Sequence, residues 1–314
     1  MEGWNQTISG FFLLGLFPPT KIGLLFFLLV ILIFLIAFLG NSTMILLIWM
    51  DHHLHTPMYF LLSQLSLMDL MYICSTVPKV AVNFLSGDNS ISLVSCGFQS
   101  FCFLLTGGSE ALLLVSMAYD RYVAIFHPFH YAILMNKRMC LLMTVGSWLS
   151  SSINAICHTV YALSMTYCKS RIINHFFCDI PAMVTLACTD TWAYEYTVFF
   201  STSLFLLVPF LGIMASYGRV FYAVHHMHSS QGRKKKKAFS TCSSHLTVVV
   251  MYYGPFIFTY MRPKSYHTPG QDKVLAILYT ILTPMLNPII YSLRNKDVLC
   301  ALKKVLGKAL MHRN

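Results

Sequence analysis

The sequence has few charged residues for its length. Only 11% of its 314 residues are Asp, Glu, Lys or Arg, whereas 56% are hydrophobic. A soluble domain carries about 25% charged residues, so this composition excludes an ordinary soluble domain and disfavours a soluble helical bundle. No charged residue lies between Lys21 and Asp51, and a stretch of that length crosses a bilayer as a helix. The chain is therefore predicted to be an integral membrane protein.

Stretches with little or no charge recur along the whole chain. We predict a single all-α domain with seven membrane spans, at residues 22–50, 58–85, 97–126, 139–162, 196–218, 238–261 and 274–293. Each reaches the about 20 residues that a helix needs to cross the hydrocarbon core. Because seven is odd, the two ends of the chain are expected on opposite sides of the membrane.

Lysine and arginine determine the predicted orientation, because cytoplasmic loops are enriched in both. With the amino terminus outside the cell, fifteen of these residues face the cytoplasm and seven face the exterior. Residues 1–21 then form an extracellular tail in which Asn5 begins a glycosylation acceptor sequence. The net charge of +11 therefore reflects topology, and no nucleic-acid partner is expected.

The cytoplasmic tail, residues 294–314, has apolar residues at helical spacing with lysines between them. We predict an amphipathic helix that lies on the membrane surface, with its lysines near anionic lipid headgroups. Cys300 in this tail is either a palmitoylation site or an unmodified thiol.

Four of the ten cysteines are predicted to lie outside the cell, where disulfides form. They are Cys96, Cys168, Cys178 and Cys188. Four cysteines allow three pairings, and their spacing does not choose among them. Their scattered positions disfavour a zinc site, and we expect neither metal nor cofactor.

Two acidic residues, Asp69 and Glu110, fall in the middle of predicted spans two and three. Ionisable groups inside a membrane are costly and commonly mark functional sites. Four polar residues are expected to face the same interior and supply partner oxygens: Asn41, Ser116, Asn287 and Ser292. A cation or shared proton could neutralise the acidic pair, or the pair could belong to a static polar network that joins helices; both interpretations remain open.

Two short motifs lie near the predicted cytoplasmic face. Asp120-Arg121-Tyr122 ends span three, where an internal ion pair could open to a partner, unless it is only an interfacial anchor. Asn287-Pro288, followed by Tyr291, lies near the inner end of span seven, where proline bends a helix and frees a carbonyl. Both motifs are predicted to be parts of a two-state switch. For Asn287-Pro288, the alternative is a plain proline kink.

Longer strings around these motifs resemble the signature of vertebrate olfactory receptors, which are rhodopsin-like G-protein-coupled receptors. The strings cover residues 54–60, 117–125 with His127, Pro128 and Tyr131, 216–217, 237–246 and 284–295. They are long, ordered and correctly spaced from the first inner loop to the last helix. Phe126 and Phe129 depart from the family pattern, where Cys and Leu are usual, and leave the Asp-Arg-Tyr motif intact.

The resemblance implies a receptor that binds an odorant and activates a stimulatory olfactory-type G protein, which raises cyclic AMP. It implies a disulfide from Cys96 to Cys178, which leaves Cys168 to pair with Cys188. It also implies that span six, which carries His245, moves outward and opens a cavity beside Arg121. Tyr217 and Tyr291 would then support the released Arg121.

By the same resemblance, the ligand pocket lies in the outer half of spans three, five, six and seven, under the second outer loop. The implied lining residues are Phe103, Leu104, Gly107, Gly108, Thr202, Phe205, Tyr253, Phe256, Ile257, Tyr260, Ile277 and Thr280. For each of them, helix packing is the alternative. Most are apolar, so a small volatile ligand with one polar group is expected, bonded by Tyr260, Thr202 or Thr280.

Other classes of membrane protein fit the sequence less well. No lysine lies between Val274 and Leu293, which excludes a retinal Schiff base in span seven. Phe103 stands where aminergic receptors carry an acid, so a neutral ligand is favoured. A transporter or channel using Asp69 and Glu110 as an ion path is disfavoured by the odd number of spans and the lack of repeated halves. An enzyme is not expected, since no nucleophile–base pair emerges.

Overall fold

The computed structural model describes residues 10–168, 170–226, 232–262, 266–293 and 296–311. Asn5, the predicted glycosylation site, lies outside the described residues. Within them, six helices are long and apolar enough to cross a membrane: Lys21–Met50, Pro57–Ser86, Leu93–Phe126, Lys137–Ser164, Trp192–His225 and Pro269–Ser292. A further helix of 30 residues, Gly232–Met261, contains predicted span six. These helices, in chain order, are spans one to seven below, and the predicted all-α seven-helix bundle is confirmed.

Polar residues begin several spans by accepting backbone N–H groups that a helix leaves unpaired at its start. The Thr20 hydroxyl accepts from Gly23 N over 3.1 Å, and the Asn136 side chain accepts from Met139 N over 2.8 Å. Span two begins at Pro57, whose missing N–H costs nothing at that position, and it stops at Gly87, where φ is 72°. Local chemistry therefore sets where these helices start and end.

Spans five and seven each contain one wider π-helical turn. Span five consists of Trp192–Thr202, the π-turn Ser203–Leu207 and Val208–His225. Span seven consists of Pro269–Ile277, the π-turn Leu278–Leu282 and Thr283–Leu293. Such turns are rare and occur mostly at functional sites.

Span three lies at the centre of the bundle, because it is the most buried of the six apolar spans, while spans one and five are the least buried. Large apolar side chains of the outer spans are exposed, as lipid-facing residues must be. Short helices lie between the spans, at His52–Leu54, Pro128–His130, Tyr131–Leu134 and Ile180–Val184, and the helix Lys296–Met311 follows span seven.

A small sheet, which the sequence did not predict, lies at the end of the bundle where span three begins. Strand β1 (Gly10–Leu13) pairs antiparallel with β2 (Ser90–Ser92) and parallel with β3 (Ile172–Ile173). Buried side chains beneath it include Phe11, Leu13 and Ile91, and they pack with the disulfide residues Cys96 and Cys178. The sheet thus fastens the segment before span one to the loop between spans four and five.

Candidate functional site

The loop between spans four and five is held over the bundle by two disulfides, Cys96–Cys178 and Cys168–Cys188. Backbone groups of Cys178 bond to span three as well: its N–H donates to Gln99 Oε1 over 2.9 Å, and its carbonyl accepts from Ser100 Oγ over 2.6 Å. The loop therefore forms a fixed cover above the helices.

Beneath this cover lies a cavity of about 70 Å³, called the inner cavity below. Its walls come from spans three, four, five and six and from the short helix Ile180–Val184. The lining residues are Phe103, Leu104, Gly107, Gly108, Asn154, His158, Ile180, Pro181, Tyr194, Val198, Ser201, Thr202, Phe205, Leu206, Phe256 and Tyr260. Most are apolar or aromatic, which is typical of a small-molecule site.

Eight of the twelve predicted lining residues lie around the inner cavity. They are Phe103, Leu104, Gly107, Gly108, Thr202, Phe205, Phe256 and Tyr260. The other four, Tyr253, Ile257, Ile277 and Thr280, do not line it. The Tyr253 phenol donates to Ala111 O over 2.6 Å, and the Thr280 hydroxyl donates to Ala276 O of its own helix over 2.6 Å. Span seven contributes no lining residue, and span four, which was not predicted to contribute, supplies two.

The polar side of the inner cavity was not predicted from the sequence. It consists of Asn154, His158, Tyr194 and Ser201. His158 Nδ1 lies 3.1 Å from the Tyr194 hydroxyl, and its Nε2 lies 2.9 Å from Ser201 Oγ. The available signal was a histidine inside an otherwise uncharged apolar span, which is costly unless it is satisfied by partners.

A second, larger cavity of about 740 Å³, called the outer cavity below, lies between the loop cover and the ends of spans five, six and seven that adjoin it. Pro181, Tyr194, Val198 and Tyr260 line both cavities. Tyr260 donates to Asp179 Oδ1 over 2.9 Å. Burial raises the pKa of Asp179 to about 7, against the lowering effect of this hydrogen bond.

Below the inner cavity, two tyrosines of span six are bonded to the backbone of span three. Tyr252 donates to Gly107 O and Tyr253 donates to Ala111 O. Phe256, one turn above Tyr252, lines the cavity and stacks on Tyr279 of span seven with ring centroids 4.2 Å apart. The cavity and the contact between spans three and six therefore share one helix face.

Asp69 and Glu110 meet in the core through Asn287. The Asn287 amide nitrogen lies 3.0 Å from Asp69 Oδ2 and 3.3 Å from Glu110 Oε1, and all three residues are buried. Of the four polar residues named from the sequence, Asn287 is therefore the one that contacts the acidic pair, and it does so through its amide N–H and not through an oxygen.

The remaining three polar residues bond elsewhere. Ser116 and Ser292 donate to Leu112 O and Ile289 O of their own helices, as short hydroxyl side chains do. Asn41 donates to Pro284 O over 2.8 Å. Pro288 lacks the N–H that would reach this carbonyl in a regular helix, so Asn41 satisfies the acceptor that the proline leaves free.

At the other end of span three, Arg121 pairs with Asp120 at 2.9 Å, and the Tyr131 hydroxyl donates to Asp120 Oδ1 over 2.6 Å. The Tyr217 hydroxyl lies 2.7 Å from His245 Nδ1, and the rings of His245 and Tyr291 are 6.5 Å apart.

The predicted switch residues Tyr217, His245 and Tyr291 therefore lie together near Arg121. Asn287, also predicted for the switch, lies in the acidic core instead. The rings of Tyr122 and Phe126 are tilted against each other with centroids 4.7 Å apart, next to the same end of span three. Within the described residues, the hydroxyl of Tyr291 and Nε of Arg121 have no hydrogen-bond partner. Polar groups without partners favour a rearrangement that would pair them.

Residues 30–309 match the family model described as "Olfactory receptor". The chain belongs to the olfactory receptor family. It is 65% identical to human olfactory receptor 2L8 over 305 residues, 97% of each chain, and 65% identical to human olfactory receptor 2L3 over the same length and shares. Human olfactory receptor 2M5 is 55% identical over 305 residues, again 97% of each chain.

Family membership confirms the resemblance seen in the sequence. This olfactory receptor is a multi-pass membrane protein and not an enzyme, and its family supports a function in odorant reception. In it, the inner cavity, the acidic core and the Arg121 region all adjoin span three, so that one helix connects the three sites.

Proposed function

We propose that this receptor binds a small, mostly apolar odorant in the inner cavity and activates a stimulatory olfactory-type G protein, which raises cyclic AMP. The amino terminus is extracellular and the carboxyl terminus cytoplasmic in this proposal, with the last helix on the lipid surface. The apolar lining with a few polar groups supports a neutral ligand bearing one polar group.

The size of the inner cavity supports coupling between binding and movement. A protein cavity of about 150 Å³ holds benzene, whereas this one has about 70 Å³. An odorant as large as benzene must therefore displace side chains. Phe256 is well placed to move, because it lines the cavity and belongs to span six.

Displacement of Phe256 strains the two bonds one turn below it, from Tyr252 to Gly107 O and from Tyr253 to Ala111 O. These bonds hold span six against span three, and this observation carries the proposal. Their loss frees span six to move outward at its cytoplasmic end. An odorant then acts by population shift, since it binds the open conformer more tightly than the closed one.

On the cytoplasmic side, outward movement of span six separates His245 from Tyr217 and opens space beside Arg121. Arg121 gives up its ion pair with Asp120 and contacts the G protein instead. Tyr217 and Tyr291 then support the released Arg121. Asp120, Tyr122, Asn287 and Pro288 complete the proposed switch.

An odorant screen with a cyclic AMP readout tests the proposal, in cells in which surface labelling demonstrates the receptor. We expect at least one small volatile to raise cyclic AMP, and Phe256→Ala to shift its dose–response curve. Cells with Arg121→Ala at equal surface level serve as the uncoupled control. Failure of a broad odorant panel to raise cyclic AMP would reject the proposal.

A further inference from the structure

The polar side of the inner cavity carries an inference about the chemistry of the odorant, and it rests on the proposed function. Four residues form this side, called the polar end below: Asn154 and His158 of span four, and Tyr194 and Ser201 of span five. None of them was predicted from the sequence to bind the ligand.

One assignment of protons satisfies all three hydrogen bonds of the polar end, and we adopt it. The Ser201 hydroxyl donates its only proton to Val198 O over 3.0 Å, so towards His158 it can only accept. His158 Nε2 must then carry the imidazole proton and donate to Ser201 Oγ. The other ring nitrogen, Nδ1, is left as an acceptor, and the Tyr194 hydroxyl donates to it over 3.1 Å.

This arrangement leaves the polar end rich in acceptors. The phenol oxygen of Tyr194 and Oγ of Ser201 have each given away their proton and retain lone pairs. Tyr260, on another wall of the cavity, has likewise given its proton to Asp179. No hydrogen from these three hydroxyls is available to a ligand carbonyl.

Asn154 completes the set. Asn154 lines the inner cavity, and its carboxamide has no hydrogen-bond partner within the described residues. An amide offers two N–H donors and one acceptor oxygen. Asn154 is therefore the donor of the polar end, opposite a cluster of acceptors.

From this geometry we infer that the polar end selects odorants with a hydroxyl group, that is, small alcohols or phenols. The hydroxyl oxygen accepts from Asn154 Nδ2, and the hydroxyl proton goes to an acceptor of Tyr194 or Ser201. A ketone or ether makes only the first of these bonds and leaves buried acceptors unpaired, which costs affinity. A hydrocarbon makes neither.

Two matched sets of compounds test this inference: phenol, anisole and toluene, and cyclohexanol, cyclohexanone and methylcyclohexane. Binding is measured as thermal stabilisation of the purified full-length receptor in detergent, which needs no G protein, and signalling as cyclic AMP in cells. We expect the hydroxyl compound of at least one set to bind about tenfold more tightly than its two partners, the effect of one hydrogen bond.

Substitutions test which residues cause the preference for hydroxyl compounds. Asn154→Leu removes donor and acceptor at similar volume, and should weaken binding of the hydroxyl compound about tenfold while leaving the hydrocarbon unchanged. Ser201→Ala should reduce the preference as well. Ser203→Ala is the matched control, since Ser203 belongs to the same span, does not line the inner cavity and bonds to Phe199 O of its own helix.

The two readouts separate this inference from the proposed function. Tighter binding of the hydroxyl compounds without any cyclic AMP response would support the polar end and reject the signalling proposal. Cyclic AMP responses without a hydroxyl preference, or a hydroxyl preference that survives Asn154→Leu, would overturn the inference about the polar end. The signalling proposal would remain in place. Absence of stabilisation by all six compounds would also overturn the inference.

Discussion

The phenol of Tyr260 donates a hydrogen bond to Oδ1 of Asp179 over 2.9 Å, and this bond joins the outer part of span six to the loop cover. Asp179 is buried, and burial raises its pKa to about 7. The nearby charge of Asp272 acts in the same direction. The stability of the cover therefore depends on pH.

The direction in which stability changes with pH follows from the pKa of Asp179 in the folded state and its ordinary value. The folded value of about 7 exceeds the ordinary value of 3.8, so between them the folded state holds the extra proton. The free energy of unfolding therefore falls as pH rises through this window, by up to about 1.4 kcal/mol per pH unit. We expect Asp179→Asn, compared with the unsubstituted protein, to gain stability progressively from about pH 4 to about pH 7.

The measurement is thermal unfolding in detergent at several pH values, taken as the difference between variant and unsubstituted protein. Asp190→Asn, at an exposed position of the same loop, is the matched control and should show no such trend. A constant difference between about pH 5 and about pH 8 would contradict the assignment.

His175, in the same loop, makes the stability of the folded state depend on pH in the opposite direction. Burial, with a smaller effect of Lys273, lowers its pKa to about 3 from the ordinary value of 6.5. The unfolded state therefore binds the extra proton between these values, and the folded state loses stability as pH falls below 6.5. We expect His175→Phe to remove this loss, so that the variant gains on the unsubstituted protein under acid conditions. If the difference in melting temperature between His175→Phe and the unsubstituted protein were the same at every pH, a buried neutral histidine would be ruled out.

The bond from Tyr253 to Ala111 O predicts an effect on basal signalling. Tyr253→Phe removes one buried bond between spans six and three, worth about 1 kcal/mol, and so favours the open conformer. Basal cyclic AMP should rise a few-fold at equal surface expression. Tyr222→Phe, at an exposed phenol of span five, is the control, and unchanged or lower basal activity in Tyr253→Phe would count against the proposed role of this contact.

The two disulfides differ in the length of chain that they close. Cys96 and Cys178 are 82 residues apart, and Cys168 and Cys188 are 20 apart. Chain entropy predicts that the longer loop contributes about 1 kcal/mol more. Replacement of both Cys96 and Cys178 by Ala should therefore lower the melting temperature more than replacement of both Cys168 and Cys188. The reverse order would show that local packing outweighs loop length.

The spans were predictable because a helix that crosses the bilayer needs about 20 apolar residues in a row, and such a stretch is visible in the sequence itself. The sheet was not, since Phe12 pairs with Ser90 and with Ile172, and two- to four-residue strands leave no periodic signal. The polar end was missed for another reason. A histidine inside span four signals an inward-facing polar group, but its partners Tyr194 and Ser201 belong to span five, and only three-dimensional packing brings them together.

The switch region and the acidic core were partly predictable. Asp120 and Arg121 were expected to pair, and they do. The partners of Asp69 and Glu110 were not, because four polar residues had the right depth and only three-dimensional packing decides among them. Ser116 and Ser292 turn back to their own helices, and Pro288 directs Asn41 to the carbonyl of Pro284.

Asn287 also discriminates between the two interpretations of the acidic core. Its amide nitrogen lies within 3.3 Å of both Asp69 and Glu110 and so takes the position where a shared cation would bind. We therefore expect a static network, in which Asn287→Leu removes hydrogen bonds worth about 1 kcal/mol each and lowers the melting temperature. Ser292→Ala, which loses only a bond within its own helix, should change it little. Replacement of sodium by choline in the buffer should leave the unsubstituted protein unaffected, whereas a sodium-dependent melting temperature that Asn287→Leu abolishes would establish a cation at this site.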